Sequence, residues 1–148
     1  MKGNLMFLLI CLILCAVAVP ASADSIFTKH KNISEAGILI GKPAGITGKY
    51  FLTDIDAFDA DLGFGPDFMA HFDYLRHDFA ALKVSEGEMP FYYGAGLLFG
   101  KSIFCVQVKA GMEYYFDTNP LGIFIEAAPA FGSDFILQGG VGVRYRIK

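Results

Sequence analysis

One stretch of the chain constrains its fold more than any other, the run from Phe104 to Phe116. Every second residue of it is apolar or amphipathic, and the positions between carry Cys, Gln, Lys, Gly, Glu and Tyr. Because successive side chains of a β-strand point to opposite faces, this period of two predicts a strand with one apolar face. At ~3.3 Å per residue the strand reaches about 40 Å, or about 30 Å when it is tilted as in a barrel. That length matches the hydrocarbon core of a bilayer, so we predict a membrane-spanning strand.

The first residues have the pattern of a secretory signal peptide. Lys2 supplies the basic start, Leu5–Val19 the apolar run, and Ala21–Ala23 a small-x-small cleavage site. The residues between the cleavage site and the first predicted strand show no periodicity. We therefore predict three parts, which are a signal peptide over 1–23, a flexible N-terminal arm over 24–36 and a β-barrel domain over 37–148.

The composition of the exported part narrows the class further. Cleavage removes Cys11 and Cys15 and leaves Cys105, so an intramolecular disulfide is excluded. Loss of Lys2 takes the formal net charge from −3 to −4, which does not suit a nucleic-acid partner. The chain is 54% hydrophobic, yet no segment after the signal approaches the ~18 unbroken apolar residues of a membrane helix. A closed β-barrel is the membrane structure that remains.

Alternation continues along the rest of the chain and predicts eight strands, an even number and the smallest usual count for a membrane barrel. We therefore expect an all-β fold, an eight-stranded antiparallel up-and-down transmembrane β-barrel. The predicted strands are Gly37–Gly41, Gly45–Leu52, Ala57–Gly65, Phe68–His77, Phe91–Phe99, Phe104–Phe116, Leu121–Ala127 and Phe135–Ile147.

One face of these strands is charged. In a soluble barrel the apolar face would point inward and the charges would lie in water, whereas in a membrane barrel the charges point inward and must pair. Glycines on the same face leave room for long side chains, so we predict a plugged lumen. The predicted lumen charge network consists of Lys49, Asp59, Asp61, Asp73, Lys109, Glu113, Glu126, Arg144 and Arg146.

Aromatic residues sort by strand end on the opposite face. Two levels of aromatic side chains around an aliphatic band are typical of the interfacial girdles of membrane barrels. The first level, expected at the periplasmic end if the N-terminus is periplasmic, is Tyr50, Tyr74, Tyr93, Tyr114 and Tyr145; the second is Phe64, Phe68, Phe99, Phe104 and Phe135.

Few residue patterns suggest chemistry. His71 and His77 lie roughly 20 Å apart along a strand, so they cannot share a metal ion. Asp59 and Asp61 could hold a cation, but pairing with Lys49 on the neighbouring strand is the favoured interpretation. Cys105 has no histidine arranged beside it, and no Ser/His/Asp spacing suggests a hydrolase. We therefore expect no enzyme activity, no metal site and no cofactor.

Several segments together resemble the small bacterial outer-membrane β-barrels of the OmpA/OmpX-like type. The resemblance implies architecture rather than activity, with insertion by the barrel-assembly machinery and outer-membrane lipid around the wall. Members of this class act as envelope anchors, bind extracellular or host factors, or in a few cases modify lipids. The segments are Gly41–Tyr50, Pro90–Gly96, Pro120–Pro129 and Gly142–Arg146.

Two functions follow from this reading. The first is an integral, non-enzymatic outer-membrane barrel with a structural or surface-interaction role. The alternative is a secreted or periplasmic soluble barrel that carries a hydrophobic ligand in an apolar interior. One feature departs from bacterial membrane barrels, because the longest predicted connection, Asp78–Pro90, falls on the end that would be periplasmic, where turns are usually short.

Overall fold

The computed structural model describes residues 30–147, which form eight antiparallel strands in one closed barrel. Each strand pairs with its neighbours in the sequence, and β1 pairs with β8 to close the sheet. The predicted fold class is confirmed. The strands are β1 (Ser34–Lys42), β2 (Gly45–Phe51), β3 (Asp56–Gly63), β4 (Met69–Asp78), β5 (Phe91–Gly100), β6 (Ile103–Tyr115), β7 (Leu121–Gly132) and β8 (Phe135–Ile147).

The barrel has two unlike ends. At the turn end, the connections are residues 43–44, 64–68, 101–102 and 133–134. At the terminal end, where β1 begins and β8 finishes, the connections are residues 52–55, 79–90 and 116–120. The long connection therefore lies beside the chain termini, on the end where the sequence places it.

The strand bounds agree with the predicted ones to within two residues except at two places. β1 begins at Ser34 rather than Gly37, so residues 34–36 belong to the barrel and not to a flexible arm. They are held by ladder pairs on both sides, for example Glu35 with Lys49 and with Arg146. β7 continues to Gly132, since its ladder with β8 runs on through Pro129 to Phe131. The predicted signal peptide lies outside the described residues.

The wall separates apolar from charged side chains as the alternation predicts. The outward residues of β1, β7 and β8 are aliphatic and exposed, up to 63% for Ile40. The inward residues of the same barrel include Lys109 and Arg144, both 0% exposed. Among residues 30–147, no helix is long and apolar enough to cross a membrane.

The residues of the two predicted girdles lie at opposite ends of the wall. All five phenylalanines are exposed, from 40% for Phe99 to 64% for Phe135, and they come at or beside the turn end. The five tyrosines lie nearer the terminal end, where Tyr50 and Tyr145 are exposed and the other three are half-buried. An aliphatic band separates the two levels.

Glycines on the lumen side make room for the largest inward side chains. A Cβ at Gly111 would stand 2.5 Å from the Tyr92 ring, and one at Gly142 would stand 2.4 Å from the Phe124 ring. Real Cβ atoms do not approach other atoms so closely, so both rings depend on a neighbouring glycine. The lumen is consequently filled by long polar and aromatic side chains.

Candidate functional site

Lys109, in the middle of β6, is the centre of the lumen. Its ammonium donates hydrogen bonds to Asp59 Oδ2 at 2.7 Å and to Asp61 Oδ2 at 2.6 Å. Asp73 Oδ2 lies 2.8 Å away and Glu126 Oε1 3.5 Å away. These carboxylates come from β3, β4 and β7, so one side chain ties together strands from around the barrel. A buried ammonium requires such partners, because an unpaired buried charge is strongly destabilising.

Arg144 continues the network towards the terminal end. Its Nη2 donates to Asp59 Oδ1 at 2.8 Å and to Thr47 Oγ1 at 2.7 Å. Its Nη1 lies 3.5 Å from Glu113 Oε2. The guanidinium also covers the face of Phe124, with its carbon 3.8 Å from the ring centroid. Arg144 is thus held by ion pairs on its edge and by a cation–π contact on its face.

A second ammonium, that of Lys49, lies nearer the terminal end than Arg144 does. Lys49 Nζ donates to Glu113 Oε2 and lies 3.9 Å from Glu35 Oε2. Glu35 in turn pairs with Arg146, whose Nε is 3.2 Å from Glu35 Oε1. The nine side chains of the predicted lumen network therefore lie in one connected set of ion pairs.

One predicted pair is absent. Lys49 and Asp59 are direct neighbours in the ladder between β2 and β3, as expected. However, the Lys49 ammonium binds Glu113 from β6, and Asp59 is bound by Lys109 and Arg144. The expected Lys49–Asp59 pair is therefore wrong, because long side chains in a narrow lumen meet partners across the barrel as readily as those on the next strand.

Other network residues were missed from the sequence. Glu35 was assigned to the arm, although it is in phase with the inward positions of β1. Tyr92 donates to Glu126 Oε2 at 2.8 Å, and Gln107 donates to both Asp73 oxygens at 2.7 and 2.9 Å. Both occupy inward positions in the alternation of their strands, and this pattern could have identified them. Neither carries a formal charge, so a search for charges alone passes over them.

Asp61, His71 and Asp73 are grouped as metal ligands can be, with one ligand atom from each within 4.8 Å of the others among the described residues. Lys109 Nζ already contacts both carboxylates of this group. The side chain of Lys109 therefore supplies the cation that such a cluster needs.

Apolar side chains form a cluster inside the barrel at the turn end. Leu98, Cys105 and Ala130 are each 0% exposed and form a cluster there. Residues that are partly buried pack against it, namely Met69, Ile103 and Ile136. The Cys105 thiol donates to the carbonyl of Asp134 at 3.6 Å. The thiol is therefore a packed, hydrogen-bonded part of this closure.

At the terminal end, the start of the long connection packs against inward-facing side chains of the barrel. Phe79 is buried in a cluster with Ile33, Phe51, Ala57 and Tyr115. At the far end of the connection, Glu88 and Tyr115 exchange two backbone hydrogen bonds, at 3.1 and 2.8 Å. We refer to residues 79–90 as the lid.

Two solved structures with a similar fold are β-barrels. The N-terminal β-barrel domain of Pseudomonas aeruginosa OprF superposes with a TM-score of 0.62 at 18% identity, over 81% of this chain and 100% of that domain. The fold is that of an eight-stranded transmembrane β-barrel. A designed transmembrane β-barrel matches with a TM-score of 0.61 at 13% identity, over 79% of this chain and 97% of the design.

No protein-family profile matches the chain, and no curated protein sequence matches it. The similarity to the OprF domain and to the design is therefore one of fold.

Proposed function

We propose that this protein is an integral outer-membrane β-barrel with a plugged polar lumen and a non-enzymatic, structural or surface-interaction role in the bacterial envelope. Outer-membrane lipid covers its wall, and the barrel-assembly machinery inserts it. The proposal rests on one observation, which is that the apolar face of the strands points outward and the charged face points into the barrel. Exposed aliphatic residues cover the wall, and fully buried ion pairs fill the interior.

The outer wall of the barrel exposes an apolar surface that is unfavourable in water. Ile38, Ile40, Ile125, Leu137 and Val141 are each at least half exposed and lie in register around β1, β7 and β8. Soluble monomers rarely expose apolar patches beyond a few hundred Å². In a bilayer the same surface is solvated by acyl chains, and the aromatic levels at either end lie where headgroups meet the hydrocarbon.

The filled lumen supports a role without transport or catalysis. Apolar clusters lie at both ends, and the charged groups between them are paired with one another. Catalysis needs a reactive group that a substrate can reach. The buried carboxylates and cations of the lumen are instead occupied by each other, so we assign the network to stability of the barrel.

The alternative, a soluble barrel carrying a hydrophobic ligand, needs an apolar interior. The interior positions that such a ligand would occupy are taken by charged residues such as Lys109, Glu113 and Arg144. No observation favours this alternative, and we do not propose it.

Fractionation of a Gram-negative host that expresses the full chain tests the proposal. We expect the protein in the outer-membrane fraction and faster gel migration in unheated samples than in boiled ones, because a closed barrel resists detergent until it is heated. Recovery as a freely soluble periplasmic monomer would refute it. Phospholipid hydrolysis or acyl transfer by the purified barrel would contradict the non-enzymatic part alone.

A further inference from the structure

His30 is enclosed at the terminal mouth although it precedes the first strand. It is 1% exposed and stacks on Phe79 of the lid, with ring centroids 4.2 Å apart. Its backbone amide donates to Asp54 Oδ1 at 2.8 Å, and its carbonyl accepts from the amide of Ile33 at 3.0 Å. The ring therefore sits in a fixed position between the lid and the barrel wall.

Two charged side chains flank the two ring nitrogens. Nδ1 contacts Arg146 Nη2 of β8, and Nε2 lies 3.1 Å from Glu88 Oε2 of the lid. A guanidinium can only donate, so Nδ1 must offer its lone pair to Arg146. The remaining ring proton is consequently on Nε2, which lies close to the carboxylate of Glu88 without a hydrogen bond to it. The contacts specify a neutral imidazole with one defined tautomer.

We propose that His30 is an acid-sensitive latch that ties the lid to the barrel wall. Protonation places a hydrogen on Nδ1, where it faces the donor of Arg146, and sets two positive charges against each other. The link from His30 to β8 then breaks. The link from His30 to Glu88 persists as a charged pair, so the lid and the His30 turn stay joined to each other while both are held less firmly to the wall.

The surrounding groups allow this response. Glu88 comes from the lid, Arg146 and its partner Glu35 from β8 and β1, Asp54 from the connection after β2, and Tyr115 from β6. His77 of β4 lies behind Phe51 and Phe79. When His30 is protonated, Glu88 and Glu35 each retain one cation. Arg146 can therefore separate from the imidazolium without losing its own carboxylate.

Protons can reach the latch from solvent. A crevice of about 670 Å³ opens at the terminal end and is lined by Glu88, Arg146, Tyr115 and the connection 116–120. The side chains of Glu88 and Arg146 are 14% and 16% exposed. The two residues that contact the ring nitrogens thus form the boundary between His30 and water.

Amide hydrogen exchange of the full barrel in detergent micelles tests the latch. The reporters are the amides of Glu88 and Asn32, which donate to the carbonyls of Tyr115 in β6 and Phe51 in β2. We expect their protection factors to fall about tenfold when the buffer is changed from neutral to acidic pH, because a protonated Nδ1 no longer accepts from Arg146. The amide of Gly132 at the turn end, which bonds to Asp134, should keep its protection.

His30→Gln is the matched variant, because a glutamine amide both accepts and donates at every pH. We expect it to keep the neutral-pH protection and to lose the acid response. His77→Gln should retain the acid response of the native protein. An unchanged response in His30→Gln, or its loss in His77→Gln, would overturn the proposal.

A measurement on the native chain guards against a variant that does not fold. Nitrogen chemical shifts of the His30 ring at neutral pH should report a protonated Nε2 and an unprotonated Nδ1. The opposite tautomer, or a doubly protonated ring, contradicts the latch. These results do not depend on where the barrel resides in the cell, so their failure would leave the proposed outer-membrane function standing.

Discussion

At the scale of single residues, the lumen depends on cations that several carboxylates share. Lys109 contacts Asp59, Asp61 and Asp73 within 2.8 Å, and all four side chains are almost fully buried. Removing one member of such a set leaves the others charged and without water. The loss of stability caused by a substitution therefore depends more on how many partners lose their counter-ion than on the charge that is removed.

Lys109→Met should destabilise the barrel by about 3–5 kcal/mol, because three carboxylates lose their common ammonium. Urea unfolding of the protein refolded into lipid vesicles measures this difference. Lys101, exposed in a turn, provides the control, and Lys101→Met should change the stability by less than about 0.5 kcal/mol. Similar unfolding midpoints for both variants would show that the network contributes nothing.

Glu126→Ala should be milder than Lys109→Met. Glu126 lies 3.5 Å from Lys109, farther than the three aspartates, so the ammonium keeps its nearest partners when Glu126 is removed. The main loss is the hydrogen bond from the Tyr92 hydroxyl. The same unfolding measurement checks the order, and a larger effect for Glu126→Ala would contradict it.

At the scale of strands, each element presents one face to the lumen and the other to the surroundings. In β8, Val141 and Val143 point outward, and Arg144 and Gln138 point inward. Val141 lies opposite Ile40 on one side and Ile125 on the other, far from either aromatic level. The depth of an outward residue in the wall should therefore decide how well a charge is tolerated there.

Val141→Arg should lose roughly 2–4 kcal/mol in lipid vesicles, as a charge on the lipid face near the midplane does. Leu121→Arg is the matched control, since Leu121 is also outward but lies opposite Tyr145 at the terminal rim. Its expected loss is about 0–1 kcal/mol. Equal and small effects at both positions would favour a wall that faces water.

At the scale of the whole molecule, the plugged lumen that we propose depends more on closure at both ends than on the polarity of the interior. A polar interior by itself could hold a water column. Here the apolar cluster at the turn end and the lid at the terminal end stand in series with the ion-pair network. An ion crossing the barrel would have to pass all three.

The native protein in planar lipid bilayers should accordingly show no steady single-channel conductance at neutral pH. Shortening the lid by replacing residues 79–87 with a short glycine-serine turn removes Phe79 from the terminal cluster and leaves the ion-pair network and the turn-end cluster in place. We expect the shortened barrel to remain non-conducting as well. Regular channels in the native protein would contradict a plugged lumen, and channels in the shortened protein alone would assign the seal to the lid.

The alternation of residues predicted which side chains share a face, and the predicted strands agreed with those of the barrel to within two residues apart from the start of β1 and the end of β7. That information is local, since a strand repeats every two residues. The same rule placed Lys49, Lys109 and Arg144 on one face before any partner was known.

The partners themselves came only from the tertiary structure. Lys109 and Asp59 are separated by fifty positions, and Arg144 and Asp59 by eighty-five, and they meet because the closed sheet brings β3, β6 and β8 around one narrow axis. The alternation of residues within one strand gives no information about which residues fifty or more positions away will be its partners. The folding of the lid over the mouth and the position of His30 beneath it were likewise decided by packing, since neither segment has a repeating pattern from which it could be predicted.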